Sequence, residues 1–260
     1  MKSLFSVLVS ICAAVLLPLQ PAVSAPSEKP TVVLVHGAFA DSSSWYGVIG
    51  LLQKDGYPVI AAANPLRSVK SDADSVRSLL ATIKGPVVLV GHSYGGMVIS
   101  NAANGASNVK ALVFVAAFAP EAGENANALN TKFPGSLVGP ALMPVPLSSG
   151  GHDLYVDQAK FHAAFAPDVP AAAAKLAAAA QRPVTDIAFG EASGAPAWKT
   201  LPSWFVYGDH DTAIPPKLHA WMAERAHPRE TVVVKGASHV VMISHPKEVT
   251  KVVEDAAKAR

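Results

Sequence analysis

Val87-Val88-Leu89-Val90-Gly91-His92-Ser93-Tyr94-Gly95-Gly96 is the stretch on which the reading of the chain turns. An apolar, β-branched run of strand character enters Gly-His-Ser-Tyr-Gly, and helix-forming residues, Met97 to Asn104, follow at once. Strand, tight turn and helix is the context in which Gly-x-Ser-x-Gly presents a serine nucleophile. A glycine-rich turn with an incidental serine shares the bare motif, so the flanks and the partners must decide between the two. Such a turn strains the backbone of Ser93, and a β-carbon at Gly91 or Gly95 would strike neighbouring main chain. Ser93 is then expected at the carboxyl end of a sheet, above a helix N-terminus whose dipole favours developing negative charge.

Working outward, strands and helices alternate. Thr31 to Val35 reads as a buried strand, Trp45 to Gln53 as an amphipathic helix, and Val59 to Ala62 as a second short strand. Asp72 to Ile83 has helical period, with Val76, Leu79, Leu80 and Ile83 on one face. Val109 to Ala116 is another strand, and the rhythm then stops until Trp204 to Tyr207. Helix Pro216 to Arg225, strand Thr231 to Val234 and helix Lys247 to Ala257 close the chain. Strands apolar on both faces, alternating with helices, imply a parallel sheet covered on both sides. The interruption, residues 121–199, is rich in Ala, Pro and Gly and holds a low-complexity helix, Pro170 to Gln181. Its place between two strands makes it a helical lid; the plainer reading is a helical insertion packed on the sheet.

A serine hydroxyl needs a base to take its proton, and the base needs a third group to orient it. After a nucleophile elbow the chain order is Ser, then Asp or Glu, then His. Tyr207-Gly208-Asp209-His210-Asp211-Thr212-Ala213-Ile214-Pro215 follows one strand and Lys235-Gly236-Ala237-Ser238-His239 the last one. Asp211 is read as the acid, with Asp209 as alternative, and His239 as the base. His36-Gly37-Ala38 follows the first strand, where an oxyanion loop belongs. The backbone N–H groups of Tyr94 and Ala38 are the expected oxyanion donors, with Phe39 as the second choice for the latter; losing one such donor costs about 3 kcal/mol of transition-state stabilisation. Phe39 and Phe118 are placed against the substrate. His36 and His92 are read as braces, and His219, His227 and His245 as surface residues. His152, His162 and Arg182 lie in the insertion, within possible reach of a substrate. His210-x-Thr212 has no metal-ligand companion at sensible spacing, so no metal is expected.

Composition narrows the class. The chain has 260 residues, enough for one α/β domain, and a formal net charge of +2 without basic blocks. Nothing in it invites nucleic acid or an anionic membrane surface. Met1-Lys2, the apolar run Leu4 to Leu17 and the small residues Val23-Ser24-Ala25 read as a signal peptide cleaved after Ala25, which predicts a secreted or periplasmic protein of residues 26–260. The apolar run is too short to span a bilayer comfortably. The single cysteine, Cys12, falls in that leader, so the mature chain has neither disulfides nor a thiol nucleophile.

On Val35-His36-Gly37-Ala38, the Gly91–Gly96 elbow, Asp211-Thr212-Ala213-Ile214-Pro215 and Lys235-Gly236-Ala237-Ser238-His239, the chain resembles the α/β-hydrolase superfamily over nearly all of its mature length. Within it the resemblance is to small esterases and hydroxynitrile lyases, plant methyl-ester (salicylate-binding) esterases among them. The resemblance implies a Ser-His-Asp hydrolase of a small-molecule ester that needs no cofactor. The lead-in is too short for the two leading strands of the fuller fold, so about six parallel strands are expected. Lyases of the group carry a threonine in the oxyanion loop and a lysine directly after the histidine. Here those positions are Gly37 and Val240, which favours an esterase. A ligand-binding protein on a hydrolase scaffold and a cofactor-free haloperoxidase or lyase are the competing readings. The motifs leave esterase, lactonase and amidase open, and they say nothing of the oligomeric state.

Overall fold

Valine, leucine and isoleucine runs with polar groups only at their ends leave few options but a sheet buried on both faces. The computed structural model describes residues 29–259 and bears this out for the central strands, while the edge strand Glu230–Val234 leaves Thr231 and Val233 exposed; the expected leader, Cys12 included, lies outside the described residues. Strand β1 (Thr31–Val35), helix α1 (Tyr46–Lys54), strand β2 (Val59–Ala62), helix α2 (Val69–Thr82), strand β3 (Val87–His92), helix α3 (Gly95–Ala102) and strand β4 (Val109–Val115) follow in order. After the insertion come strand β8 (Ser203–Gly208), helix α8 (Pro216–Ala226), strand β9 (Glu230–Val234) and helices α9 (Val241–Ser244) and α10 (Pro246–Lys258). The six strands pair in the order β2-β1-β3-β4-β8-β9, every pair parallel.

From β1 the chain moves outward to β2, then returns across β1 to β3. Right-handed crossovers put α1 and α2 on opposite faces. Accordingly α1 packs on α10, and α2 on α3. The reversal leaves a crevice at the carboxyl ends of β1 and β3, where ligands bind in open α/β sheets. His36 and Ser93 follow those two strands. All six residues of β3 are buried, and full burial of one such valine or leucine is worth about 1.5–3 kcal/mol.

The insertion differs from the expected helical lid. It holds helix α4 (Ala126–Asn130), a three-stranded antiparallel sheet of β5 (Leu142–Pro146), β6 (His152–Val156) and β7 (Val184–Thr185), and helices α5 (Gln158–Phe165), α6 (Ala171–Ala180) and α7 (Asp186–Gly190). Pro144 and Pro146 spoil the strand pattern, because proline cannot donate to a ladder. They are tolerated because β5 is the edge of that sheet. Arg67 stitches this cap to the body: its guanidinium binds Asp153 Oδ1 at 2.7 Å and the Pro183 carbonyl at 2.9 Å.

Candidate active site

Close backbone contacts fix the elbow. A Cβ on Gly91 would sit 2.6 Å from the Gly95 carbonyl oxygen, and one on Gly95 2.6 Å from that of Val35. Gly96, not singled out in the sequence, is tighter still, 2.1 Å from the Phe118 carbonyl oxygen. Between them Ser93 has φ of 53°, a left-handed conformation that costs a non-glycine residue about 1–3 kcal/mol. Ser93 N–H donates to the Val115 carbonyl, and the Ser93 carbonyl accepts from Gly96 and Phe118. The Tyr94 hydroxyl donates to buried Asp72 Oδ2 at 2.9 Å, tying the start of α3 to α2.

The acid and base loops arrive from β8 and β9. A Cβ on Gly208 would lie 2.0 Å from the Ala237 carbonyl oxygen, so the two loops run in contact. Asp211, His219 and His239 are all buried. Asp211 Oδ1 accepts from the backbone N–H of Ala213 (2.8 Å) and Ile214 (2.9 Å). Oδ2 accepts from His239 Nδ1 at 2.8 Å and from His219 Nε2 at 2.9 Å. Burial alone would raise the Asp211 carboxyl. The two imidazoles facing it, through charge and hydrogen bonding, outweigh that and hold it well below the usual carboxylate range. The cap closes the other side of the base loop, where Asp168 accepts from Ser238 N–H at 3.0 Å and from its hydroxyl.

Ser93 and His239 line one cavity of about 80 Å³, together with Ala38, Phe39, Phe118 and the cap residues Asn130, Val138 and Leu142. Among the described residues the N–H groups of Ala38 and Tyr94 have no protein acceptor, whereas Phe39 gives its N–H to the Arg182 carbonyl at 3.1 Å. That bond removes Phe39 as an oxyanion donor and leaves its ring as cavity wall.

Asp209 sits on an exposed turn and accepts from Gly236 N–H at 2.6 Å, away from the imidazole. His36 braces its loop: Nδ1 donates to the Gly37 carbonyl, and Nε2 accepts from Asn64 N–H. His92 Nε2 donates to the His239 carbonyl at 3.1 Å. His152 pairs with Asp186 on the outside of the cap, and His162 bonds the Val169 carbonyl. The Arg182 side chain is not part of the cavity wall.

His219 corrects the reading of a helix-surface residue: it is 1% exposed and stacked on Tyr207, 4.8 Å between ring centroids. The signal was present, since His219, Met222, Ala223 and Ala226 form the inward stripe of α8. His245 is half-buried with Nδ1 3.7 Å from Asp168 Oδ2, so it too is not a plain surface residue. Asp211, His219 and His239 are spaced closely enough to invite comparison with a metal site. Their 2.8 and 2.9 Å contacts are direct hydrogen bonds; two ligands of a tetrahedral zinc at about 2.1 Å each stand about 3.4 Å apart.

A matching family model, described as the alpha/beta hydrolase family, covers residues 32–252. The chain belongs to the alpha/beta hydrolase family. This hydrolase is 26% identical to an alpha-hydroxynitrile lyase of Arabidopsis thaliana, over 85% of its own length and 94% of the relative's. Identity to methylesterase 9 of the same plant is also 26%, over 83% and 93%. In three dimensions it matches polyneuridine aldehyde esterase with a TM-score of 0.76 at 21% identity, covering 88% of this hydrolase and 99% of that chain.

The buried histidines make the fold sensitive to acid. Burial lowers the pKa of His36 and His219, and that of His92 falls further, next to His239. A base with a lowered folded-state pKa stays neutral in the native state, while the unfolded chain takes up protons below about 6.5. Stability therefore falls as pH drops through that value, by up to about 1.4 kcal/mol per histidine per pH unit until each folded pKa is reached. Denaturant melts at pH 7.5 and 5.5 should show a lower midpoint at 5.5. An unchanged or higher midpoint would contradict the neutral assignment.

Proposed function

We propose that this protein is a serine hydrolase that cleaves a small, uncharged, hydrophobic carboxylic ester through an acyl-enzyme intermediate. The observation that carries the reading is the cavity shared by Ser93 and His239, with Asp211 fixed behind the imidazole. Ser93 Oγ attacks the ester carbonyl carbon while His239 Nε2 takes its proton, and Asp211 holds the imidazole with Nδ1 protonated. The N–H groups of Ala38 and Tyr94 receive the oxyanion. As the tetrahedral intermediate collapses, the C–O bond to the alcohol breaks and His239 returns the proton to the leaving oxygen. Water, activated by the same imidazole, then releases the acid. Among the described residues no Lys or Arg lines the cavity, which supports an uncharged substrate. The basic start, the apolar run Leu4 to Leu17 and the small residues before Pro26 support export from the cytoplasm.

Space at position 37 favours an esterase over a lyase. A Cβ there would lie 2.6 Å from Ser93 Cβ and 2.8 Å from the His92 carbonyl oxygen, so a hydroxyl-bearing side chain has no room. Val240, buried after the base, supplies no ammonium to stabilise departing cyanide. Purified protein should hydrolyse a short-chain aryl ester and release no cyanide from mandelonitrile above the uncatalysed background. Efficient mandelonitrile cleavage that disappears in Ser93→Ala would overturn the esterase reading.

A further inference from the structure

Phe165 stands between two cavities. Its ring meets the His239 imidazole edge-on, 5.0 Å between centroids, and the Phe39 ring at 5.9 Å and 85°. Both phenylalanines line the catalytic cavity and also a second, larger one of about 230 Å³. The second cavity lies between the cap helices α5 and α6, the loop after the oxyanion turn, and Val240, the residue that follows the base. On α6 its wall is Ala173, Ala174, Ala177 and Ala180, while Leu176 on the same helix points to solvent at 73% exposure. The alanine run thus has a spatial consequence: four methyl groups leave open a volume that larger side chains would fill. Among the described residues no Lys, Arg or His lines it. Asp41 and Gln181 are, but Asp41 is engaged by Ser43 and Gln181 by the backbone of Val156.

The chemistry gives the two cavities different tasks, on the esterase reading above. His239 hands its proton to the leaving oxygen, so the alcohol must leave on the histidine side. That is the side of Phe165 and Val240, where the larger cavity begins. The acyl group stays on Ser93, among Phe118, Val138, Leu142 and Ile214 in the smaller one. We propose that the larger cavity is the alcohol site, and that the substrates are esters of a short acid with a bulky, uncharged, apolar alcohol. This is the reverse of a methyl ester, in which the alcohol is the smaller part.

An isomeric pair tests it: 1-naphthylmethyl acetate and methyl 1-naphthylacetate share composition and an alkyl leaving group but exchange the bulky side. The acetate should have the higher kcat/KM by about tenfold or more, the discrimination that modest apolar contact supplies. Ala177→Phe should lower the kcat/KM ratio of 1-naphthylmethyl acetate to ethyl acetate by about tenfold, chiefly through KM. Leu176→Ala, on the outer face of the same helix, should leave that ratio as it is. Preference for the methyl ester, or an unchanged ratio in Ala177→Phe, overturns the assignment. If neither isomer is hydrolysed while a short-chain aryl ester is, the assignment is overturned; if that aryl ester is not hydrolysed either, the esterase reading fails, and a fluorescence titration of Ser93→Ala protein with 1-naphthylmethanol still decides the cavity. Binding that weakens about tenfold when Ala177→Phe is added supports the site; no binding, or equal binding, rejects it.

Discussion

Ser93→Ala should lower ester turnover by about 10⁴-fold or more and abolish stoichiometric labelling by a phosphonate or sulfonyl fluoride. The reason lies in the elbow: backbone on three sides fixes the Ser93 main chain, and among the described residues no other hydroxyl lines the cavity. Adding His239→Ala should cost little more, because a base without its nucleophile has no proton to take. The thermal midpoint of the single variant should stay close to that of the parent, since alanine keeps the strained backbone and removes only a hydroxyl. Full activity in Ser93→Ala, or label on another residue, would sink the assignment.

Asp211→Asn should cost about 10⁴-fold in kcat with the fold intact. Two backbone donors, Ala213 and Ile214, claim one carboxylate oxygen. In the amide they hold the remaining oxygen there, so the NH₂ faces His239 Nδ1 and His219 Nε2. Donor then meets donor, and His239 escapes only by moving its proton to Nε2, where it can no longer act as a base. Asp209→Asn, on its exposed turn, should change the rate by about twofold at most. A reversal of these two outcomes would exchange the roles of the two carboxylates.

How much of this was legible in the sequence follows from the range of each interaction. The elbow was readable because strand, turn and helix are contiguous, and Gly91 and Gly95 are where the close contacts fall. The six-strand parallel sheet followed from runs apolar on both faces. The acid and base loops followed from strand ends in a fixed chain order, and the structure brings Asp211 and His239 to 2.8 Å. Three things escaped. His219 reaches Asp211 from the first turn of α8; its stripe with Met222, Ala223 and Ala226 marks an inward face, but the pattern does not say which carboxylate it meets. Strand β5 escaped because its prolines break the local pattern while edge geometry, set by distant β6, forgives them. The Phe39 N–H was spent on Arg182, more than 100 residues away, and no local signal marks such a bond.

The paired neighbours β4 and β8 flank the whole of residues 116–202. Closing a loop of that kind costs entropy only as the logarithm of its length, about 0.6 kcal/mol for each doubling. The sheet, the elbow and the two loops that carry Asp211 and His239 all lie outside that span. Segments can therefore be lengthened, trimmed or exchanged between Phe118 and Ser203 at small thermodynamic cost, provided Phe118 keeps its bond to Ser93, and Arg67, Phe39 and Ser238 keep their anchors on the cap. In this architecture the bond-breaking apparatus and the part that selects what is broken can diverge at different rates.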